Sequence, residues 1–227
     1  MFLDFLGRNS INTILTVFAL LAGMALHAVA EADQEQSAIS AFAENQIGDW
    51  KQHDFSRSTE YGLTKIENDW ALEAISEGAA SAFYRSVEVN LEKTPILTWR
   101  WRVETTLQGV QEREKSGDDY AARVYVVHKR GFFDKGIAVN YVWSSSHKKG
   151  SAWPNAYALK SSAMLALQDS TSATSIWHEE RRNVREDFNR LLGRDVRSVE
   201  IVVLMTDTDN SGQAAHAFYG DLSFASD

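Results

Sequence analysis

Through most of the chain, apolar and polar residues alternate with a period of two. In "ILTWRWRV" (96–103), Leu97, Trp99, Trp101 and Val103 alternate with Thr98, Arg100 and Arg102. Neighbouring side chains on an extended strand point to opposite faces. This spacing therefore puts both tryptophans on one oily face and both arginines on the other. Seven further segments read the same way: WALEAISE from Trp70, SAFYRSVEVN from Ser81, YAARVYVVH from Tyr120, GIAVNYVWSS from Gly136, AYALKSSAMLAL from Ala156, SVEIVVLMTD from Ser198 and HAFYGDLSF from His216. Short strands joined by polar or Gly-containing connections predict an all-β fold, an antiparallel β-sandwich of jelly-roll type with one or two short helices. The helices are expected at 37–46 and at 185–192 ("REDFNRLL"), where Gly193 is suited to ending the second. The polar run "LQGVQEREKSGDD" (107–119) predicts an exposed loop.

Residues 11–26 are almost unbroken apolar chain, followed by the small residues Ala28-Val29-Ala30 and then the polar Glu31-Ala32-Asp33-Gln34. That order predicts a secretory signal peptide over 1–30, cut after Ala30. A retained anchor is the alternative, but the apolar run is shorter than the roughly 20 residues that span a bilayer. The expected location is the periplasm or the cell exterior, with no membrane span after cleavage, and 31–227 read as a single sandwich domain. The chain has no cysteine, which excludes cysteine nucleophiles, thiolate zinc sites and iron–sulfur clusters. Without disulfides in an oxidising compartment the fold must rest on its core, and a chain of this length can bury one. A net charge of −8 argues against a nucleic-acid partner, because such binding needs Lys and Arg to neutralise phosphates.

Four stretches in order, "LTWRWRV" (97–103), "DDYAARVYVV" (118–127), "NYVWSS" (140–145) and "MTDTDNSGQAAHAFYGDLSF" (205–224), together resemble an uncharacterised bacterial family, domain of unknown function 3047. The resemblance covers most of the mature chain and brings no activity. More loosely, "FYGDLSF" is similar to the last strand of galactose-binding-like jelly rolls, which include many carbohydrate-binding modules. That likeness concerns fold, and fold alone does not carry function.

The candidate chemistry sits on the polar face. Arg100, Arg102 and Arg123 share it with Glu73, Tyr125 and Asn140, and Asp119 lies four residues before Arg123, on the same face of a regular strand. One reading is a network of paired charges, which a half-buried face requires. The other is a concave binding surface on which the planar Arg fork grips a carboxylate or sugar hydroxyls. Both stay open. Trp153, in "HKKGSAWPNAY" (147–157), is a candidate for stacking on a sugar or for folding back over the sandwich edge.

Asp207, Asp209, Ser211 and Gly212 match positions one, three, five and six of a calcium loop, but position twelve, where an EF-hand needs Glu, is Phe218. An EF-hand is excluded. A plain Asx turn is the preferred account, and a structural calcium ion bound by Asp207, Asp209, Ser211 and Asp221 is the alternative. No other cofactor is expected.

No Gly-x-Ser-x-Gly elbow or His-Glu-x-x-His helix occurs, and His178, Glu179 and Glu180 alternate faces on a strand, so they make no ready acid–base pair. The leading expectation is a non-catalytic binding module for carbohydrate or another polar, anionic small molecule. A carbohydrate-active lyase or glycosidase on the same fold and a partner-binding envelope protein are the alternatives.

Overall fold

The computed structural model describes residues 36–129 and 136–227, so the expected signal peptide at 1–30 lies outside the described residues. The described chain folds into two seven-stranded sheets. The first contains β1 (Gln36–Ala38), β3 (Glu60–Ile66), β4 (Asp69–Glu77), β6 (Ile96–Val103), β11 (His178–Asn183), β13 (Ala214–Tyr219) and β14 (Ser223–Ala225). The second runs, in spatial order, β2 (Lys51–Ser56), β5 (Ala80–Asn90), β12 (Ser198–Asp207), β7 (Tyr120–His128), β8 (Ile137–Trp143), β10 (Ser162–Gln168) and β9 (Ala152–Pro154). One α-helix, α1 (Val184–Leu192), follows β11. The architecture is the expected all-β sandwich.

The core forms where the oily faces of the sheets meet. Trp99 and Trp101 of β6 are buried and reach across to Tyr141 and Trp143 of β8, with ring centroids 5.3 and 6.1 Å apart. Rings at these separations add to the large apolar area that they remove from water. The register shows why β6 is central. Along one edge it pairs with β11, from Trp101↔His178 to Ile96↔Asn183. Along the other it pairs first with β14 and then with β13, which together replace the single expected strand 216–224. The break between them is Gly220–Leu222.

Four expectations need correction. The segment 37–46 is not a helix. Gln36–Ala38 pairs with β14, and only a 3-10 turn, Phe42–Glu44, follows, ended by Asn45 in the left-handed region at φ 59°. The apolar Phe42 is buried instead against Trp50, so tertiary packing overrides the local pattern. Second, β10 starts at Ser162, not Ala156, and it pairs parallel to β8 while every other strand pair is antiparallel. A parallel pair needs a crossover, which residues 144–161 supply.

Third, the loop 107–119 is exposed only in part, at 108–109, 111 and 113–116. Leu107, Val110, Glu112, Asp118 and Asp119 are buried. Glu112 is tolerated there because it accepts hydrogen bonds from Ser144 Oγ, the Ser145 and Ser146 amides and His147 Nδ1, and a buried carboxylate must be satisfied in this way. Fourth, β2, β3 and β11 are strands that the alternation did not mark. By contrast α1 forms where expected: the Asn183 side chain accepts from the Glu186 amide (3.1 Å), and Gly193 closes the helix at φ 64°.

Candidate functional site

The six candidate ligand residues fall into two groups, one on each sheet. Arg100 and Arg102 lie on the outer face of the first sheet, opposite the buried tryptophans, as the alternation requires. Arg100 Nη2 donates to Asp69 Oδ2 (2.9 Å), and its guanidinium lies 4.6 Å from the centroid of the Trp177 ring. Arg102 donates to Glu104 (2.8 Å) and Glu67 (3.3 Å) and lies over Phe218. The partial burial of Glu104 raises its pKa, but hydrogen bonds from Ser175 and Arg102 outweigh that and hold the carboxyl below its ordinary range. The Arg100–Asp69 pair is a surface pair, worth at most about 1 kcal/mol, so a ligand can compete for that guanidinium.

An open groove of about 670 Å³ runs along this face between β6, β11 and the Gly220–Leu222 break, lined by Thr98, Arg100, Glu179, Arg181, Ala43 and Asp221. β11 supplies Glu179 opposite Arg100 and Arg181 opposite Thr98. Arg100 can take its place along the groove because residue 220 is glycine. A Cβ there would lie 2.6 Å from Arg100 Nε and closer still to its Cγ, so any larger residue displaces the arginine. Trp177 and Arg181 were missed from the sequence, and Glu179 was weighed there only as part of an acid–base pair. Their segment, "WHEERRN", is polar on both faces, and period-two reasoning sees only strands with one oily face.

Arg123, Asp119, Asn140 and Trp153 belong to the second sheet. Arg123 is buried and donates through Nη2 to Asp118 Oδ2 and Asp207 Oδ2, both at 3.4 Å, while its guanidinium lies 4.6 Å from the centre of the Tyr120 ring. The ion partner is therefore Asp118 and not Asp119. The cause is a bulge: between Arg123↔Met205 and Tyr120↔Asp207, β7 spends one more residue than β12. One extra residue reverses the face of everything before it, which brings Tyr120 and Asp118 to the side of Arg123. Asp119 instead accepts from the Asn210 amide (3.2 Å), Asn210 Nδ2 (3.0 Å) and the Ser211 amide (2.6 Å). Asn140 donates to Ser162 and to the Ala163 carbonyl, and Trp153 is buried beneath the stacked His147 ring at 4.3 Å. His147 Nε2 accepts from Arg113, which leaves Nδ1 to donate to Glu112.

Of the four candidate metal ligands, Asp207 and Asp209 meet Asp119, and Asp221 does not join them. Asp221 accepts from Ser40 Oγ and from the Phe42 and Ala43 amides, while the Ser211 hydroxyl accepts from the Gln213 amide. Burial pushes the Asp207 carboxyl well above its ordinary range; Arg123 opposes that, and Asp118, Asp119 and Asp209 reinforce it. Asp118 and Asp209 are raised for the same first reason, loss of solvent.

A family described as "Protein of unknown function (DUF3047)" matches residues 48–223. No curated protein matches the chain. Among solved structures, the carbohydrate recognition domain of Emp47p is similar at 10% identity and a TM-score of 0.43, covering 87% of this chain and 99% of that one. The family 29 carbohydrate binding module CBM29_1 from Piromyces equi is similar at 10% identity and a TM-score of 0.38, covering 86% and 93%. The enzymatically active domain of bacteriophage CBA120 tailspike protein 4 is similar at 8% identity and a TM-score of 0.41. This chain spans only 20% of that tailspike chain. These distant likenesses assign no ligand and no activity.

Proposed function

We propose, from the premise that this chain belongs to the DUF3047 family, that it is a non-catalytic binding module for carbohydrate or another polar small molecule, held in the groove over β6 and β11. The observation that carries this reading is an open groove in which Glu179 stands opposite Arg100 and Arg181 opposite Thr98 across the β6–β11 pair, with the Trp177 ring against Arg100. Sugar hydroxyls both donate and accept, and the groove offers guanidinium donors next to carboxylate acceptors. The Trp177 ring gives a sugar an apolar face to stack on. A volume of about 670 Å³ suits a small oligosaccharide. On this reading the leader at 1–30 delivers the module to the periplasm or the cell exterior.

Isothermal titration with neutral and uronic-acid oligosaccharides tests the proposal. Wild-type protein is expected to bind at least one class. Arg100→Ala and Trp177→Ala should each weaken that binding about tenfold, the loss of one charge-assisted hydrogen bond or stacking contact of about 1.5 kcal/mol. Silence across both classes, or unchanged affinity in the double variant, overturns the reading. Release of cleaved product from the same polysaccharides would overturn its non-catalytic part.

A further inference from the structure

Asp119, Asp207 and Asp209 each bring one carboxylate oxygen within 4.8 Å of the other two. Acidic side chains gather on many protein surfaces without a ligand, and two observations separate this group from such clusters. Asp207 is only 3% exposed, and its Oδ1 has no hydrogen-bond partner among the described residues. Buried polar atoms almost always have one, so an orphaned carboxylate oxygen held beside two other carboxylates has the character of a cation ligand. Charge balance points the same way. Asp118 adds a fourth carboxylate, and the cation in contact with the group is Arg123, whose two ion pairs are both 3.4 Å long. Good charge-assisted bonds are about 2.7–2.9 Å, so Arg123 offsets this concentration of negative charge poorly.

We infer that Asp119, Asp207 and Asp209 bind a calcium ion that ties the entry to β7, the end of β12 and the β12–β13 loop together. The donors are carboxylate oxygens with neither His nor Cys among them, which selects a hard cation. Calcium takes such oxygens readily at about 2.3–2.6 Å, whereas magnesium gives up its waters reluctantly and is seldom held by protein carboxylates alone. The loop motif at 207–212 thus supplies two ligands, and the third comes from Asp119, fixed in place by three N–H donors from Asn210 and Ser211. Asp209 is partly exposed and lines an open groove with Glu77 and Gln213, which gives an ion its way in.

The inference stands apart from the glycan reading and is tested apart from it. Full-length protein stripped with EDTA is titrated with calcium chloride, with magnesium chloride, and with terbium as a luminescent probe, while thermal unfolding is followed by circular dichroism. Calcium should raise Tm in a saturable way that EDTA reverses, terbium should report one site, and magnesium should act at least tenfold more weakly. Asp209→Asn, at a partly exposed position that leaves the buried network intact, should keep the wild-type spectrum and lose at least tenfold in calcium affinity. Asp69→Asn, on the opposite sheet, should behave as wild type. Absence of any calcium response in the wild type overturns the inference. So does an undiminished response in Asp209→Asn, or a magnesium response equal to that of calcium.

Discussion

Asp169, in the turn after β10, accepts hydrogen bonds from Thr171 Oγ1 (2.6 Å), the Thr171 amide (2.8 Å) and the Lys149 amide (2.9 Å). Led by the Thr171 hydroxyl, these donors favour the ionised form and lower the carboxyl from 3.8 to about 2. The sign follows from linkage. In the unfolded chain the group takes up a proton as pH falls through about 4, whereas the folded protein resists until about 2. The stabilisation is therefore complete above the unfolded value and is lost as pH drops through that window. Urea midpoints measured from pH 5 down to 2 should fall less steeply in Asp169→Asn than in the wild type, and equal slopes would count against the assignment. At this scale the sequence was legible wherever strict alternation held. Trp99 and Trp101 face inward and Arg100 and Arg102 outward as the pattern requires. It was illegible at Asp118 and Asp119, because a bulge before Arg123 shifts the phase without leaving a residue type that announces it.

Helix α1 is fastened to the sandwich by one carboxylate. Asp187, almost fully buried, receives Arg182 Nε (2.8 Å) and Nη2 (2.6 Å), Arg190 Nη2 (2.8 Å) and the Tyr141 hydroxyl (3.1 Å). Burial alone would raise its pKa, but the Arg182 and Arg190 bonds outweigh that and bring it below the ordinary range. Arg182 belongs to β11 and Tyr141 to β8, so the side chain joins the helix to both sheets. Replacing it with Asn leaves two guanidinium groups without a counter-charge, though both arginines are partly exposed and water softens the penalty. Asp187→Asn should lower unfolding stability by about 2 kcal/mol in urea titration, and a change below about 0.5 kcal/mol would refute this role. The helix was legible because Gly193 marks its end, which the structure keeps in the left-handed region. β2, β3 and β11 were not. β2 is exposed along nearly its whole length, and Glu179 and Arg181 put charge on one face of β11. Their pairing is dictated by neighbours, such as β11 along β6, and not by an oily stripe of their own.

The two-sheet architecture was readable from the number and spacing of the strands, whereas the order of strands within each sheet was not. Pairings such as β4 with β13 join segments far apart in sequence, and a periodicity carries no information about distance in space. The signal peptide expected at 1–30 makes a prediction at this scale. Protein recovered from the medium or periplasm should begin at Glu31 by N-terminal sequencing, and an exported chain that still begins at Met1 would refute the cleavage. The described residues contain no helix long and apolar enough to cross a membrane. The strand that completes the first sheet beside β1 is β14, formed by residues 223–225 and locked onto Gln36–Ala38. Closing this edge therefore joins two segments that the rest of the described chain separates, and such distant pairing pays its loop-closure entropy before any contact rewards it. The β1–β14 edge is thus a late step of folding, closing after hairpins such as β3–β4 and β7–β8 have formed.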